Sequence, residues 1–318
     1  MIQLVVPQGQ DGKNLKSCMQ DMLAAMKRSE AESLLRKGCV RVNGARVKKD
    51  ILLAAGDILD LYVEKEYKDY LPDVGLLYED DGLLIFNKPP GLSCLEDKPD
   101  GKPTLLSVAE EYMRENGDYD PRFGRMPFVC HRLDHYTGGL VLVAKNQDMY
   151  EALVEAFAQR RVRKFYKAIV CGRPKRQDTL SAYIIKDAGK AKVRVLSAPA
   201  RGAKPAVTRY ALEKLGDSIA QVDLELVTGR THQARAMMAW AGFPILGDDK
   251  YGNRRMNKRY GVKFQALWSY RILFETGNNN TLAYLNGRSF ATDRIGFPYL
   301  PTLDEAGAEC VVLQNERE

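Results

Sequence analysis

Hydrophobic positions in the first part of the chain predict two helices. The first spans residues 15–26 and places its apolar side chains on one face: Leu15, Met19, Met22, Leu23 and Met26. A second helix is expected to start at Ser29, because Ser29 and Glu32 have capping-box spacing, and to end at Gly38.

Short apolar runs separated by turn residues predict strands in the same region. An Asn43-Gly44 pair lies between apolar positions and favours a tight hairpin. A Gly56-Asp57 pair predicts a second turn, which precedes a strand at 58–61. Residues 1–65 are therefore expected to form a self-contained unit.

Strand and helix patterns fill most of the remaining chain. Strands are predicted at 76–78, 83–86, 140–144, 165–170, 182–185, 193–196, 206–210, 224–227 and 264–275, and helices at 104–115, 149–160 and from Thr231, as the cap, to about 241. The segment at 66–75 has no periodicity and is expected to be a linker. A chain of 318 residues can hold one large domain with a small satellite.

The predicted strand at 140–144 follows a stretch with reactive side chains, which reads CHRLDHYTGG over residues 130–139. Gly138 and Gly139 permit a tight turn, so Asp134 is expected in a loop at the edge of a sheet. Two interpretations stay open from these residues alone. Asp134 caps the turn and pairs with Arg132, or it is a reactive acid that the sheet holds in place.

Composition favours a cytosolic protein with a polyanionic partner. The net charge is +7, from 48 Lys and Arg against 41 Asp and Glu. No apolar run approaches about 20 residues, and the N-terminus lacks a basic segment followed by an apolar core, so neither a transmembrane helix nor a secretory signal is expected. The six cysteines are scattered without a C-x-x-C pair, which is typical of reduced thiols.

Other chemistries fit the sequence poorly. His131 and His135 are four residues apart, but the glutamate of a metalloprotease motif is missing between them and Gly138-Gly139 cannot continue a ligand-bearing helix. A metal site is therefore not expected. No phosphate-binding glycine motif is present, so a nucleotide cofactor is not expected either. Cys130 beside His131 suggests a nucleophile, but the sequence shows no third group to orient it.

The HRLD segment, with its Thr-Gly-Gly turn and apolar strand, resembles the catalytic motif of the RluA-type pseudouridine synthases. The resemblance covers residues 10–275 and includes NKPPG at 87–91 and GRTHQAR at 229–235, with GD and YG further on. It implies that Asp134 is the catalytic residue, that Arg235 pairs with it, and that Tyr166 packs on the target base. His232 and Gln233 are expected to orient their loop, and a structural hydrogen bond is the preferred role for His232. The chain departs from the family text at Gly138, Ala234, Met237 and Trp268.

The N-terminal unit resembles the alpha-L RNA-binding module, first known from a small-subunit ribosomal protein. The resemblance rests on Ser29, Leu34, Leu35, Gly38, Val40, Val42, Asn43, Gly44, Gly56 and Asp57. Basic residues crowd the same segment, so RNA contacts are expected from Arg28, Arg36, Lys37, Arg41, Arg46 and Lys48. A solvated charged face is the alternative, since acidic residues dilute the charge. Arg132, beside the proposed catalytic acid, is expected to fill the gap that an extruded base leaves in RNA.

These observations together predict an α+β protein with a pseudouridine synthase domain at 76–318, built on a mixed, largely antiparallel sheet, and a small α/β RNA-binding module at 1–65. The expected activity is isomerisation of uridine in structured RNA, ribosomal or transfer, by a cytoplasmic monomer. Two alternatives stay open: a non-catalytic RNA-binding or ribosome-assembly protein on this fold, and an RNA glycosidase.

Overall fold

The computed structural model describes residues 2–23, 26–62, 74–96, 103–187, 189, 191–262, 264–277, 281–296 and 304–305. Its internal contacts form two compact units. Unit 1 comprises Met1–Phe157, Asn279–Tyr284 and Thr292–Pro298, and unit 2 comprises Ala158–Asn278, Leu285–Ala291 and Tyr299–Glu318. Most of the predicted linker at 66–75 lies outside the described residues.

The N-terminal part of unit 1 contains two helices and a four-stranded antiparallel sheet. The helices are α1 (Leu15–Met22) and α2 (Arg28–Lys37); the strands are β1 (Ile2–Val5), β2 (Val40–Val42), β3 (Ala45–Val47) and β4 (Ile58–Leu61), in the order β1-β4-β2-β3. The apolar face predicted for the first helix packs into their core, where Leu15, Met19 and Leu23 are fully buried. The predicted hairpin is confirmed, because Asn43 and Gly44 both have positive φ angles, 55° and 81°.

The ends of these helices only partly match the predictions. Gly38 ends α2 in the left-handed region, at φ 66°, as expected. The predicted cap at Ser29 is wrong, because the Lys27 backbone N–H donates to the Glu30 carboxylate at 3.1 Å and the helix starts before Ser29. Helix α1 ends at Met22, earlier than predicted.

The rest of unit 1 is a small antiparallel sheet with two helices. Its strands are β5 (Gly75–Glu79), β6 (Leu83–Lys88), β7 (Arg125–Val129) and β8 (Gly138–Asn146), and its helices are α3 (Leu105–Glu115) and α4 (Gln147–Ala158), whose last residue belongs to unit 2. Strand β8 pairs with both β6 and β7, and all but its last residue are buried. This explains why the sequence of β8 is apolar without alternation.

Unit 2 is built on a longer antiparallel sheet in the order β11-β10-β12-β13-β9-β14. Its strands are β9 (Val162–Cys171), β10 (Gln177–Lys186), β11 (Val193–Leu196), β12 (Lys204–Leu215), β13 (Ile219–Leu226), β14 (Leu267–Phe274), β15 (Ser289–Ala291) and β16 (Asp304–Glu305), and its helices are α5 (Gln233–Trp240) and α6 (Arg254–Tyr260). The predicted strands of this half are present and the α+β class is confirmed. The sequence patterns did not reveal α6, β15 or β16.

Four cysteines in the described residues are buried: Cys18, Cys94, Cys130 and Cys171. Burial raises the pKa of the Cys18 and Cys130 thiols to about 12 and that of Cys171 to about 11. These thiols are therefore uncharged at neutral pH. Among the described helices, none combines the length and apolar character needed to span a bilayer.

Candidate active site

Asp134 lies in the loop that joins β7 to β8, at 130–137. Its backbone carbonyl accepts a hydrogen bond from the Thr137 N–H at 2.9 Å, which closes the turn. Gly139 has a φ of 114°, which side chains rarely allow, at the start of β8. Asp134 is partly exposed and Arg132 is exposed, so solvent and ligands reach both side chains.

A second segment, 88–94, holds this loop in place. The Lys88 ammonium is fully buried and donates to the carbonyls of Pro89 at 2.9 Å, Leu92 at 2.8 Å and His135 at 3.3 Å. The Gly91 N–H donates to the same His135 carbonyl at 2.9 Å. Two donors therefore fix the backbone of His135, the residue that follows Asp134.

Lys88 also adds a charge beside the candidate acid. Burial lowers the pKa of Lys88 to about 8, and the nearby Cys94 and Asp134 act in the opposite direction. The ammonium form is the majority at pH 7, where its three carbonyl acceptors and the Asp134 carboxylate favour it. Sequence reasoning missed this role, although the NKPPG segment was the signal for it.

The two histidines of the loop have structural contacts. The Leu142 N–H donates to His131 Nε2 at 3.2 Å, and the His131 ring packs 4.9 Å from that of Phe157. His135 Nδ1 lies 3.0 Å from the Ser93 hydroxyl. Within the described residues, no group of three or more His, Cys, Asp or Glu side chains is placed to hold a metal ion.

Tyr166 lies in the middle of β9 in unit 2. It pairs with Leu224 of β13 and Ser269 of β14 and is 4% exposed. Lys164 is two residues earlier, on the same face of the strand, and burial lowers the pKa of its ammonium to about 8. The sheet thus fixes the aromatic ring beside a cation.

Arg235 lies in α5 and makes a buried ion pair. Its Nε and Nη2 donate to the Asp248 carboxylate at 2.6 and 2.9 Å, and Nη2 also donates to Asp249 at 3.1 Å. Burial alone would raise the pKa of Asp248, but the hydrogen bond and charge of Arg235, with the N–H groups of Tyr251 and Lys250, hold it below its usual value. Asp248 was missed as a site residue, although its GD-YG segment was recognised.

The loop before α5 is held by Gln233 and His232. The Gln233 amide accepts from the Thr228 hydroxyl at 2.7 Å and the Arg230 N–H at 3.0 Å, and it donates to the Val207 carbonyl at 2.9 Å. His232 Nδ1 lies 2.9 Å from the Tyr251 hydroxyl. The orienting roles expected for both residues are thus supported by hydrogen bonds, whereas the cap predicted at Thr231 is wrong, since His232 occupies that position at φ 53°.

The basic residues predicted to contact RNA are exposed in the N-terminal part of unit 1: Arg28, Arg36, Lys37, Arg41, Arg46 and Lys48. Some of them have local partners, and Arg41 lies over the Tyr62 ring, 5.2 Å from its centroid. Arg46 donates to the Gly38 carbonyl at 2.6 Å and the Lys37 carbonyl at 3.2 Å, which satisfies the end of α2. Arg28 lies 3.6 Å from Glu32. The side chain of Arg46 is therefore engaged in structure, and the RNA contacts stay predictions.

The proposed catalytic residues fall in different units. Asp134 belongs to unit 1, and Tyr166 and Arg235 belong to unit 2. Their convergence on one base stays a prediction. Each of the three is held by the contacts described above, so each is suited to a site that needs a fixed geometry.

All three residues lie in a segment that matches a known family. Residues 82–240 match the model of the RNA pseudouridylate synthases. A ribosomal large subunit pseudouridine synthase C of Vibrio parahaemolyticus is 31% identical over 292 residues, which cover 86% of this chain and 89% of that protein. The chain belongs to the RNA pseudouridylate synthase family. Its activity is therefore that of an isomerase.

Other pseudouridine synthases support the assignment. An RNA pseudouridine synthase of Bacillus subtilis, described as uncharacterised, is 34% identical over 234 residues, covering 72% of this chain and 75% of that protein. The solved structure of human RNA pseudouridylate synthase domain containing 4 superposes with a TM-score of 0.56 at 24% identity, covering 69% of this chain and 88% of that one. The latter likeness establishes the shared fold.

Proposed function

We propose that this pseudouridine synthase modifies ribosomal RNA and that Asp134 is its catalytic residue. The relatives named ribosomal large subunit pseudouridine synthases support the substrate class. The observation that carries the catalytic role is the position of Asp134. It is a partly exposed carboxylate on a loop that Lys88 and Gly91 fix through one carbonyl.

The reaction rearranges one nucleotide without consuming water. The bond between N1 of uracil and C1′ of ribose breaks, the base turns, and a bond forms between C5 and C1′. A proton leaves C5 and N1 gains one. A base in a stack must first be extruded, which costs a few kcal/mol. Ordinary glycoside hydrolysis uses two carboxylates, whereas one suffices for an isomerisation in which the base itself rejoins the sugar.

The other residues supply positioning and charge. Tyr166 is proposed to stack on the extruded base, an interaction that contributes about 1–3 kcal/mol per base. Arg235 is proposed to hold the Asp134 carboxylate ionised, because burial against substrate would otherwise favour the neutral acid. Arg132 is exposed beside the acid and is proposed to occupy the space that the base leaves.

One assay separates this function from its rivals. The protein is incubated with a large-subunit ribosomal RNA transcript that carries tritium at C5 of uridine. Release of tritium to water supports isomerisation, free uracil supports a glycosidase, and binding without either product supports an RNA-binding or ribosome-assembly protein. A transfer RNA transcript run in parallel tests the alternative substrate.

A variant pair tests the role of Asp134. Asp134→Asn keeps the shape of the side chain and is expected to abolish tritium release while RNA affinity stays close to that of the wild type. Asp81→Asn is the matched control, because Asp81 is an exposed acid in the same unit. Equal loss of affinity and turnover in Asp134→Asn would contradict a catalytic role.

The N-terminal module is proposed to bind RNA through its exposed cations. Log K falls as log salt rises, and we call the magnitude of this negative slope the salt slope. Each lost phosphate contact reduces the salt slope by about 0.7–0.9. Arg36→Ala with Lys37→Ala is therefore expected to reduce that slope by about 1.5. An unchanged slope would favour the alternative, a solvated charged face.

We further propose the domain arrangement 1–65, 66–75 and 76–318, and a cytoplasmic monomer. Limited proteolysis is expected to cut first within 66–75, and light scattering to give the mass of one chain. Cleavage first at 157–158, the boundary between the two compact units, would instead favour that division as the domain boundary.

A further inference from the structure

Helix α6 carries an unusual charge. Four of its seven residues are basic and all four are exposed: Arg254, Arg255, Lys258 and Arg259. The sequence from Lys250 to Phe274 contains no acidic residue. Among the described residues, no carboxylate forms an ion pair with any of the four. This set, together with Lys250, is called the α6 face.

Three exposed arginines elsewhere in the chain have acidic partners. Arg114 lies 2.6 Å from Glu110, Arg122 lies 2.9 Å from Asp120, and Arg125 lies 3.1 Å from Asp118. At those three sites charges of both signs lie side by side, as on an ordinary solvated surface, whereas the four α6 cations are clustered without a paired acid among the described residues.

The spacing of the α6 cations works against the helix. Arg254 and Lys258 are four residues apart, as are Arg255 and Arg259. Like charges at this spacing destabilise a helix by about 0.2–0.5 kcal/mol for each pair. A bound polyanion removes this repulsion, so the arrangement suits a surface that receives phosphates.

The α6 face is rigidly attached to the loop that holds Arg235. Asn253 caps the helix by accepting from the Arg255 and Met256 N–H groups at 3.1 and 3.2 Å. The Asn257 amide accepts from the Gly247 N–H at 2.9 Å and donates to the Asp248 carbonyl at 3.0 Å. Asp248 is the carboxylate that binds Arg235. A phosphate on α6 would thus lie at a fixed position relative to a proposed catalytic residue.

The far end of the helix is also anchored. The Tyr260 hydroxyl lies 2.7 Å from the Ser218 hydroxyl, in the turn between β12 and β13. Gly247 allows the backbone at 247 to lie close to the Phe264 carbonyl. It has a φ of 80°, and a side chain there would overlap that carbonyl. With both ends of α6 held, binding orders the exposed side chains but does not have to order the helix backbone.

We propose that the α6 face binds the sugar-phosphate backbone of the RNA substrate, away from the target nucleotide. The inference rests on the proposed action on RNA. The face lies beyond residue 240, where the family match ends, and it is separate from the N-terminal module. It gives unit 2 its own phosphate-binding surface and makes affinity depend on RNA that extends past the modified position.

A charge-matched pair of variants tests this. One neutralises Arg254, Arg255 and Arg259 as glutamines, and the control neutralises Arg114, Arg122 and Arg125 as glutamines, so both lose three positive charges. Affinity for the ribosomal RNA transcript is measured from about 0.05 to 0.2 M salt. The α6 variant is expected to lower the salt slope by about 2–3 and to weaken binding about tenfold. The control is expected to change both much less.

Activity measurements distinguish the inference from the proposed function. The α6 variant is expected to raise KM for tritium release about tenfold with kcat unchanged, and a variant with lysines at the same three positions is expected to restore KM. If wild type releases tritium and the α6 variant behaves as the control, the inference is wrong and the proposed function stands. If wild type releases none, the proposed function fails, and the salt slopes still decide whether the face binds RNA.

Single variants decide the question if the triple α6 variant fails to fold. The single variants Arg255→Gln and Arg259→Gln are each expected to lower the slope by about 0.7–0.9. Slopes unchanged in both would overturn the inference. A triple α6 variant that binds RNA normally would also overturn it and would favour an acidic protein as the partner of the α6 face.

Discussion

Arg235 and Asp248 form a two-point ion pair in which both side chains are buried, at 2.6 and 2.9 Å. Such a pair fixes the plane of the guanidinium as well as its position. The same carboxylate accepts from the N–H groups of Lys250 and Tyr251 at 2.8 and 2.9 Å. Asp248 thereby joins α5 to the loop that leads to α6.

Asp248→Asn is expected to lower the free energy of unfolding by about 3 kcal/mol at pH 7, because it leaves a buried guanidinium without its main anion. Turnover is expected to fall as well, since Arg235 loses its orientation. Urea unfolding and tritium release measure the two effects. Asp249→Asn is the control, because Asp249 contacts the same guanidinium but its side chain is 64% exposed; an equal loss there would contradict the assignment.

The same pair makes stability depend on acid pH. The folded pKa of Asp248 is lower than its ordinary value of 3.8, so its contribution is full above that value and is lost as pH falls through the folded pKa. The difference in unfolding free energy between wild type and Asp248→Asn is therefore expected to shrink below about pH 4. A difference that stays constant to pH 2 would disprove the linkage.

Lys88→Met is expected to destabilise the loop of Asp134, because the Pro89 and Leu92 carbonyls lose the Lys88 donor and the His135 carbonyl keeps only the Gly91 N–H. Each buried acceptor left unsatisfied costs about 1–3 kcal/mol. Burial lowers the folded pKa of Lys88 to about 8, against 10.5 for a free lysine, so the unfolded chain binds more protons between these values. Wild-type stability relative to Lys88→Met is thus expected to rise from pH 8 to 10. Unfolding at pH 7.5 and 9.5 measures the change, and a constant difference would contradict it.

Ser269→Ala is expected to stabilise the protein by about 1 kcal/mol. The Ser269 hydroxyl is fully buried beside Tyr166 and has no hydrogen-bond partner among the residues that the structure covers. Ser218→Ala is the comparison, because it removes a hydrogen bond to Tyr260 and is expected to destabilise by a similar amount. Thermal unfolding of both variants checks the signs, and a loss in Ser269→Ala would show that the hydroxyl has a stabilising role.

Arg46→Gln is expected to lower the stability of the N-terminal module by about 1–2 kcal/mol, because its guanidinium satisfies the last carbonyls of α2. Lys48→Gln is the control, since Lys48 is an exposed cation on the same segment. Unfolding of both variants and their RNA salt slopes are measured together. If Arg46→Gln changes only the slope, Arg46 contacts RNA and does not hold the helix.

The sequence predicted most strands and helices because their signals are local. Apolar runs such as 140–144 and turn pairs such as Asn43-Gly44 specify their own conformation. The α6 helix was missed because its sequence has no apolar face. Its Asn253 cap is local, but Asn257 and Tyr260 hold it through contacts with Gly247 and Ser218 outside the helix.

The same contrast between local sequence signals and contacts between separate segments applies to the functional residues. Asp134, Tyr166 and Arg235 could be named because each lies in a motif that resembles a known family. The roles of Lys88 and Asp248 depend on contacts that span loops: Lys88 reaches the His135 carbonyl and Asp248 reaches Arg235. No spacing rule in the sequence encodes those contacts, so they emerged only from the folded chain.

The buried cysteines can report local unfolding of the chain around them. Cys18 lies in the N-terminal module, Cys130 at the start of the Asp134 loop, and Cys171 at the end of β9. Because their thiols are shielded and uncharged, an alkylating reagent will modify each one only when its own surroundings open. Mass mapping of the modified cysteines over time would therefore rank the opening of these three places in a single unlabelled sample.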